Sequence, residues 1–317
     1  MKSTPVVLGV LVGGLALILL YYFYTSNRPK YQWVPTLRHD SEQPYGTSFL
    51  KKMLQTYRPD GEFTINQRMP FHKLAEKEDF SNGQTDLVVI GQSAFFDNAD
   101  VEAIKKFLRD GNNVFISTLS LPRELIDSVY TDGDCALQLS YDDDPGELVR
   151  ANFYNDTFKK AGSYEFRYRF LTEDVSYSWN RVAGPAICDD MGSMTALGYQ
   201  GYDHVNFFRI NFEGKGNIFV HTEPIMFTNY FMVQPDKVDY ASAVFSYLPG
   251  RNIIWDEVSK LPFSKSDNPY ESPLYYIMQQ PALKYAWWML LVGGLLYIIF
   301  ASKRRQRVIP VIEAKTN

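Results

Sequence analysis

The sequence predicts an α/β fold: a doubly wound, mostly parallel sheet with an antiparallel β-rich insertion, flanked by N- and C-terminal transmembrane helices. Three observations carry this expectation. Uncharged apolar runs lie near both ends of the 317-residue chain. Between them, short apolar strands alternate with helix-period segments, the pattern of βαβ units. From 123 to 215 the pattern changes to turn signals separating alternating strands.

Residues 5–24, PVVLGVLVGGLALILLYYFY, and 285–302, YAWWMLLVGGLLYIIFAS, contain no charged residue. Twenty residues at ~1.5 Å each span about 30 Å, one bilayer core. Tyr21, Tyr22, Trp287 and Trp288 sit where interfacial aromatics belong. No small-x-small cleavage site follows the first run, so it is expected to stay as an anchor. Lys303, Arg304, Arg305 and Arg307 follow the second run, and only Lys284 precedes it. The positive-inside rule then puts the basic tail 303–317 in the cytoplasm. The expected location is the inner membrane, with two spans, both termini cytoplasmic and the main domain periplasmic. Residues 25–284 hold 26 Lys+Arg and 35 Asp+Glu, a charge of −9, which suits an external domain. The whole chain, at −4, argues against nucleic acid as a partner.

The α/β domain is read over 28–258. Residues 31–37 look like a first strand, and 45–57 like a helix with a Phe49, Leu50, Met53, Leu54 stripe. Two strands follow, at 63–67 and 85–90. Asp97 or Asn98 caps the next helix; Val101, Ile104, Phe107 and Leu108 form its apolar face, and Gly111 ends it. Residues 113–117 make the next strand, which completes a βαβ unit and implies parallel pairing. After the insertion come a strand at 216–222, a helix at 238–248 and a last strand at 252–255. Residues 259–284 read as a linker. The 22 Tyr and 22 Phe suit β-rich packing.

The polar residues after these strands are the candidate site: Asp40, Gln92, Ser93, His221, Glu223, Asp256 and Glu257. Parallel strands send their carboxyl ends to one edge, the usual ligand crevice. Asp40, Gln92, His221, Glu223 and Glu257 are expected to cluster there. Ser93 stands in G-Q-S-A-F, which lacks the second glycine of a nucleophile elbow. It is read as a loop serine, and His221 as a hydrogen-bonded core histidine. Cys135 and Cys188 have no metal-ligand spacing; they either pair as a disulfide or stay as two buried thiols. No cofactor is expected.

The order D-S-x-x-x-Y-G-T, D-L-V-V-I-G-x-S, D-G-N-N-V-F-I-S, H-T-x-P-x-x-F-T-N-Y and I-I-W-D-E resembles a bacterial membrane-anchored domain-of-unknown-function family. The tail, from P-L-x-Y-I-M-Q-Q-P-A-L-K-Y-A to K-R-R-Q-R-V-I-P, resembles its Bacteroidota members. That resemblance implies a Rossmann-like domain similar to class I glutamine amidotransferases. It also implies protein partners encoded beside MoxR-type AAA ATPases. Glutaminase activity is not implied for this chain, because such enzymes need an elbow cysteine and both cysteines lie in the insertion. The expected function is therefore a non-catalytic membrane-anchored binding or scaffolding protein. The alternative is a hydrolase or metal-dependent enzyme using Asp40, His221, Glu223 and Glu257.

Overall fold

The structure is a computed structural model that describes residues 13–23, 31–129, 141–171, 173–182, 194–202, 204–213, 215–250, 252–260, 274, 277–278 and 280–301. Cys135, Cys188, the tail 303–317, most of 259–284 and much of 5–24 lie outside the described residues. The chain divides into two units, Met1–Phe263 and Ser264–Asn317.

In the first unit, after a helical stretch at 13–23, the elements run α1 (Ser48–Tyr57), β1 (Phe63–Asn66), α2 (Phe71–Lys77), β2 (Thr85–Ser93), α3 (Asn98–Arg109), β3 (Asn113–Ser120) and α4 (Arg123–Val129). Then come β4 (Tyr141–Gly146), β5 (Leu148–Phe153), β6 (Tyr164–Arg167), β7 (Arg169–Phe170), β8 (Glu173–Asp174), β9 (Tyr177–Val182), β10 (Met194–Gln200) and β11 (His204–Phe212). The unit closes with β12 (Gly216–His221), a 3₁₀ turn (Pro224–Phe227), α5 (Asn229–Met232), α6 (Pro235–Ser246) and β13 (Asn252–Asp256).

Nine strands form one sheet in the order β1-β13-β2-β3-β12-β11-β10-β5-β6. The first four pairings are parallel and the last four antiparallel. This corrects the expected mostly parallel sheet with an insertion: β5, β6, β10 and β11 belong to the same sheet and make up four of its nine strands. The reason lies in β11. Its Val205, Phe207, Phe208 and Ile210 are buried on both faces, so it needs neighbours on both sides and pairs with β12 and β10. Two short antiparallel pairs, β4 with β9 and β7 with β8, stand beside the main sheet.

In the parallel half helices cover both faces. Val88 and Ile90 of β2 point to a core shared with Leu50 and Leu54 of α1 and Val244 of α6. Leu87 and Val89 point the other way, toward Ile104 and Leu108 of α3. The two alternating sets follow from the period of two in a strand. The α3 cap is as read: the Asp97 side chain accepts from Asp100 N, and Gly111 follows the helix with φ 91°.

Two local readings change. Residues 31–37 do not form a strand; Leu37 N instead donates to Tyr45 O (2.9 Å), closing a loop onto the start of α1. Gly91, Gln92 and Ser93 are not a loop, because β2 continues through Ser93, paired with Ser120 of β3.

The flanking transmembrane helices are also corrected, and with them the membrane location. Among the described residues, no helix is long and apolar enough to cross a membrane. In the second unit α7 (Pro281–Ala301) begins Pro-Ala-Leu-Lys. At the other end, residues 13–23 of the first apolar run are described, and they are helical.

Candidate functional site

The five parallel strands β1, β13, β2, β3 and β12 end on one edge, and the sequence-predicted residues are found there in separate neighbourhoods rather than one. β13 and β12 are separated by β2 and β3, about 14 Å at ~4.8 Å per strand. Glu257 and Glu223, which follow them, therefore belong to different groups.

Glu257 is 1% exposed and lies where the buried run Ile253–Asp256 carries the chain past the end of β1, with its own N–H donating to Asn66 O (2.9 Å). Its Oε1 accepts from Trp255 Nε1 (2.7 Å) and Lys260 Nζ (2.8 Å). His39 approaches the same oxygen through Nδ1 at 3.0 Å and its backbone N–H at 3.3 Å. Gln67 Nε2 meets His39 Nε2 at 3.1 Å on the far side. Lys260 also donates to Leu37 O (3.0 Å). Burial alone would raise the Glu257 carboxyl; Lys260 and His39 outweigh it and hold the group down at about 2. Asp256 beside it is buried, which raises its carboxyl, although Ser259 N (2.9 Å) and Asn66 Nδ2 (2.6 Å) donate to it.

Asp40 does not join this group. It is half-buried and takes both Nε (3.0 Å) and Nη2 (2.7 Å) of Arg38. Burial works against its ionisation, and the Arg38 guanidinium more than offsets that and lowers the carboxyl. Gln92 is exposed and donates to Pro35 O (3.1 Å); Ser93 is half-buried at the end of β2. Its strand partner is Ser120.

His221 ends β12 fully buried. Glu223 N donates to its Nδ1 (3.1 Å), which leaves the ring proton on Nε2, facing Tyr240 OH at 2.8 Å. Asn206 Nδ2 donates to the same hydroxyl (3.3 Å). Burial pushes His221 down to about 3, so the ring is neutral at ordinary pH. Glu223, also fully buried, accepts from Asn180 N, and burial raises its carboxyl well above the usual range. Thr222 Oγ1 and Gln200 Nε2 both donate to Asn180 O (2.7 and 2.8 Å), which ties β9 to this end of β12.

A residue that sequence reasoning missed joins two of the motifs. Asn229, just after the 3₁₀ turn, donates through Nδ2 to Ser41 O (2.7 Å) and Gln43 O (2.8 Å). Its Oδ1 accepts from Phe49 N (2.9 Å) and Ser48 Oγ (3.3 Å), capping α1 from outside, where Thr47 makes no side-chain cap. Its own N–H donates to Gly46 O (2.8 Å). At Gly46 a Cβ would come within 2.2 Å of Ser41 O, which is why that motif position is glycine. The signal in sequence was an amide side chain two positions after the buried apolar turn Pro224–Phe227.

For metal chemistry, three ligand atoms must converge. Among the described residues the only such group is His72, Asp97 and Asp100, which includes none of the sequence-predicted site residues. There His72 N and Nδ1 both lie 2.8 Å from Asp100 Oδ1, so the group ties α2 to the capped start of α3.

Compared with known proteins, the chain matches no curated protein. It is similar to a solved structure described as the mmIFT52 N-terminal domain, at 15% identity and a TM-score of 0.42, over 62% of this chain and 89% of that one. A family model described as "Domain of unknown function (DUF4350)" matches residues 39–245, the span that runs from His39 through the Asn229 junction to the end of α6. The chain belongs to the DUF4350 family.

Proposed function

We propose that this chain is a non-catalytic binding or scaffolding module on an amidotransferase-like core whose reactive group is missing. One observation carries the reading. Asp256, Glu257, His221 and Glu223 are at most 1% exposed, and each is bonded within the protein. An acid, base or metal ligand must reach a substrate atom, and these side chains do not. The partners in this reading are proteins, of the kind encoded beside MoxR-type ATPases in the resembled family.

The test is a panel of ester, amide, phosphoester and glycoside substrates offered to the purified protein, with and without Mg²⁺, Mn²⁺ or Zn²⁺. No turnover above background is expected. Turnover that disappears in Glu257→Gln or His221→Asn, with the fold intact by circular dichroism, would overturn the reading.

A further inference from the structure

The other end of the sheet offers the surface that such a module needs. β6 is last in the strand order, so among the described residues no strand pairs with its outer side. An antiparallel edge strand keeps half its N–H and C=O groups turned outward. A groove of about 310 Å³ lies between β6 and the α5–α6 turn. That volume is at the lower bound of ligand sites. Its wall carries Arg167, Arg169 and Lys237, with the Gln234 amide among them, against one carboxylate, Glu165.

Glu165 is already engaged by Arg150 Nε (2.8 Å). Lys237 is 7% exposed at its side chain, stacked 5.6 Å from the Phe166 ring centroid and paired with Asp236. The carboxylates that meet the two arginines, Asp174 and Glu147, stand outside the groove wall. Arg167 is held loosely, at 3.5 and 3.6 Å. Exposed pairs of this kind exchange partners at little cost. Within the groove wall itself, Arg167, Arg169 and Lys237 outnumber the one carboxylate, Glu165.

We infer that this groove takes an extended acidic peptide of a protein partner, added as a tenth strand along β6 with its carboxylates on Arg167, Arg169 and Lys237. The inference rests on the binding-module reading above. The main chain of β6 would supply affinity and the three cations selectivity.

The test uses the full chain and a labelled peptide of alternating Glu and Val, read by fluorescence anisotropy. Binding is expected to weaken at least about tenfold in Arg167→Glu/Arg169→Glu, and clearly in the milder Arg167→Gln/Arg169→Gln. It should weaken also as salt rises, since exposed charges are screened. A Lys-for-Glu peptide should not bind. A Glu-Val peptide with proline at alternate positions, unable to donate to a strand, should lose most of its affinity. The inference is overturned if the acidic peptide does not bind, or binds the variants equally. It is also overturned if the proline peptide binds as well, or if inorganic phosphate at low millimolar concentration displaces the peptide completely. None of these outcomes touches the catalytic panel, so failure here leaves the non-catalytic reading standing.

Discussion

In the parallel half of the sheet Asp256, Glu257, His221 and Glu223 at the strand ends are turned inward and bonded to groups of the protein. Glu257 holds His39, Trp255 and Lys260; His221 holds Tyr240 and the start of the next loop. In the antiparallel half the charges stand outside, on half-exposed Arg150, Arg167 and Arg169, over an aromatic layer that includes Phe166, Tyr164 and Tyr240. The difference teaches where to look for function. A strand-end crevice is reached by ligand only if its polar groups are free, and here they hold the loops. An open strand edge with loosely paired cations is available.

The sharpest way to break the comparison is Glu257→Ala. It leaves Lys260 and His39 buried without their shared acceptor, and a broken buried pair costs about 3–5 kcal/mol. Urea unfolding should show that loss. If stability is unchanged, the strand-end groups are not structural and the crevice is open after all.

Asn229→Ala comes next. It strands backbone groups at Ser41, Gln43 and Phe49 together, for an expected loss of about 3 kcal/mol. Loss of order in the 38–47 loop, read by amide exchange, should accompany it.

Tyr240→Phe removes the hydroxyl shared by His221 and Asn206 and is expected to cost about 1–2 kcal/mol in the same unfolding measurement.

The smallest loss at neutral pH is expected for Glu223→Gln, and pH dependence separates that carboxyl from Glu257. Glu257 ionises at about 2 in the fold against 4.5 ordinarily, so its contribution is present above pH 4.5 and lost as pH falls toward 2. His221 acts in the same direction, from 6.5 down to about 3. Glu223 is raised, so its contribution is present below 4.5 and lost as pH rises through its folded value. Glu257→Gln should therefore flatten the acid limb of stability against pH. Glu223→Gln should leave the acid limb and flatten the decline above pH 4.5, with equal or greater stability at neutrality. A Glu223→Gln protein that is less stable at pH 7 would mean that Glu223 is ionised and the network is charged.

Local pattern determined much of the parallel half. Leu50 and Leu54 of α1, the Asp97 cap, the Gly111 stop and the apolar runs of β2, β3, β12 and β13 depend on residues within one or two turns, and they were legible, whereas Phe49 of the expected stripe is exposed. The shared direction of the parallel strands was legible too, but the polar residues after them fall into separate neighbourhoods instead of the one cluster expected. What those residues do was decided by tertiary structure alone. Glu257 meets His39 across 218 positions, and Asn229 meets Ser41 across 188. No periodicity reports such pairings, since they depend on which loops pack over the edge. The same holds for strand order. β11 is as apolar as a central strand, but only pairing with β12 makes the antiparallel strands part of the main sheet. The apolar terminal runs show the opposite limit: an uncharged stretch reads as a span by composition. The length and polarity of each described helix were decisive instead.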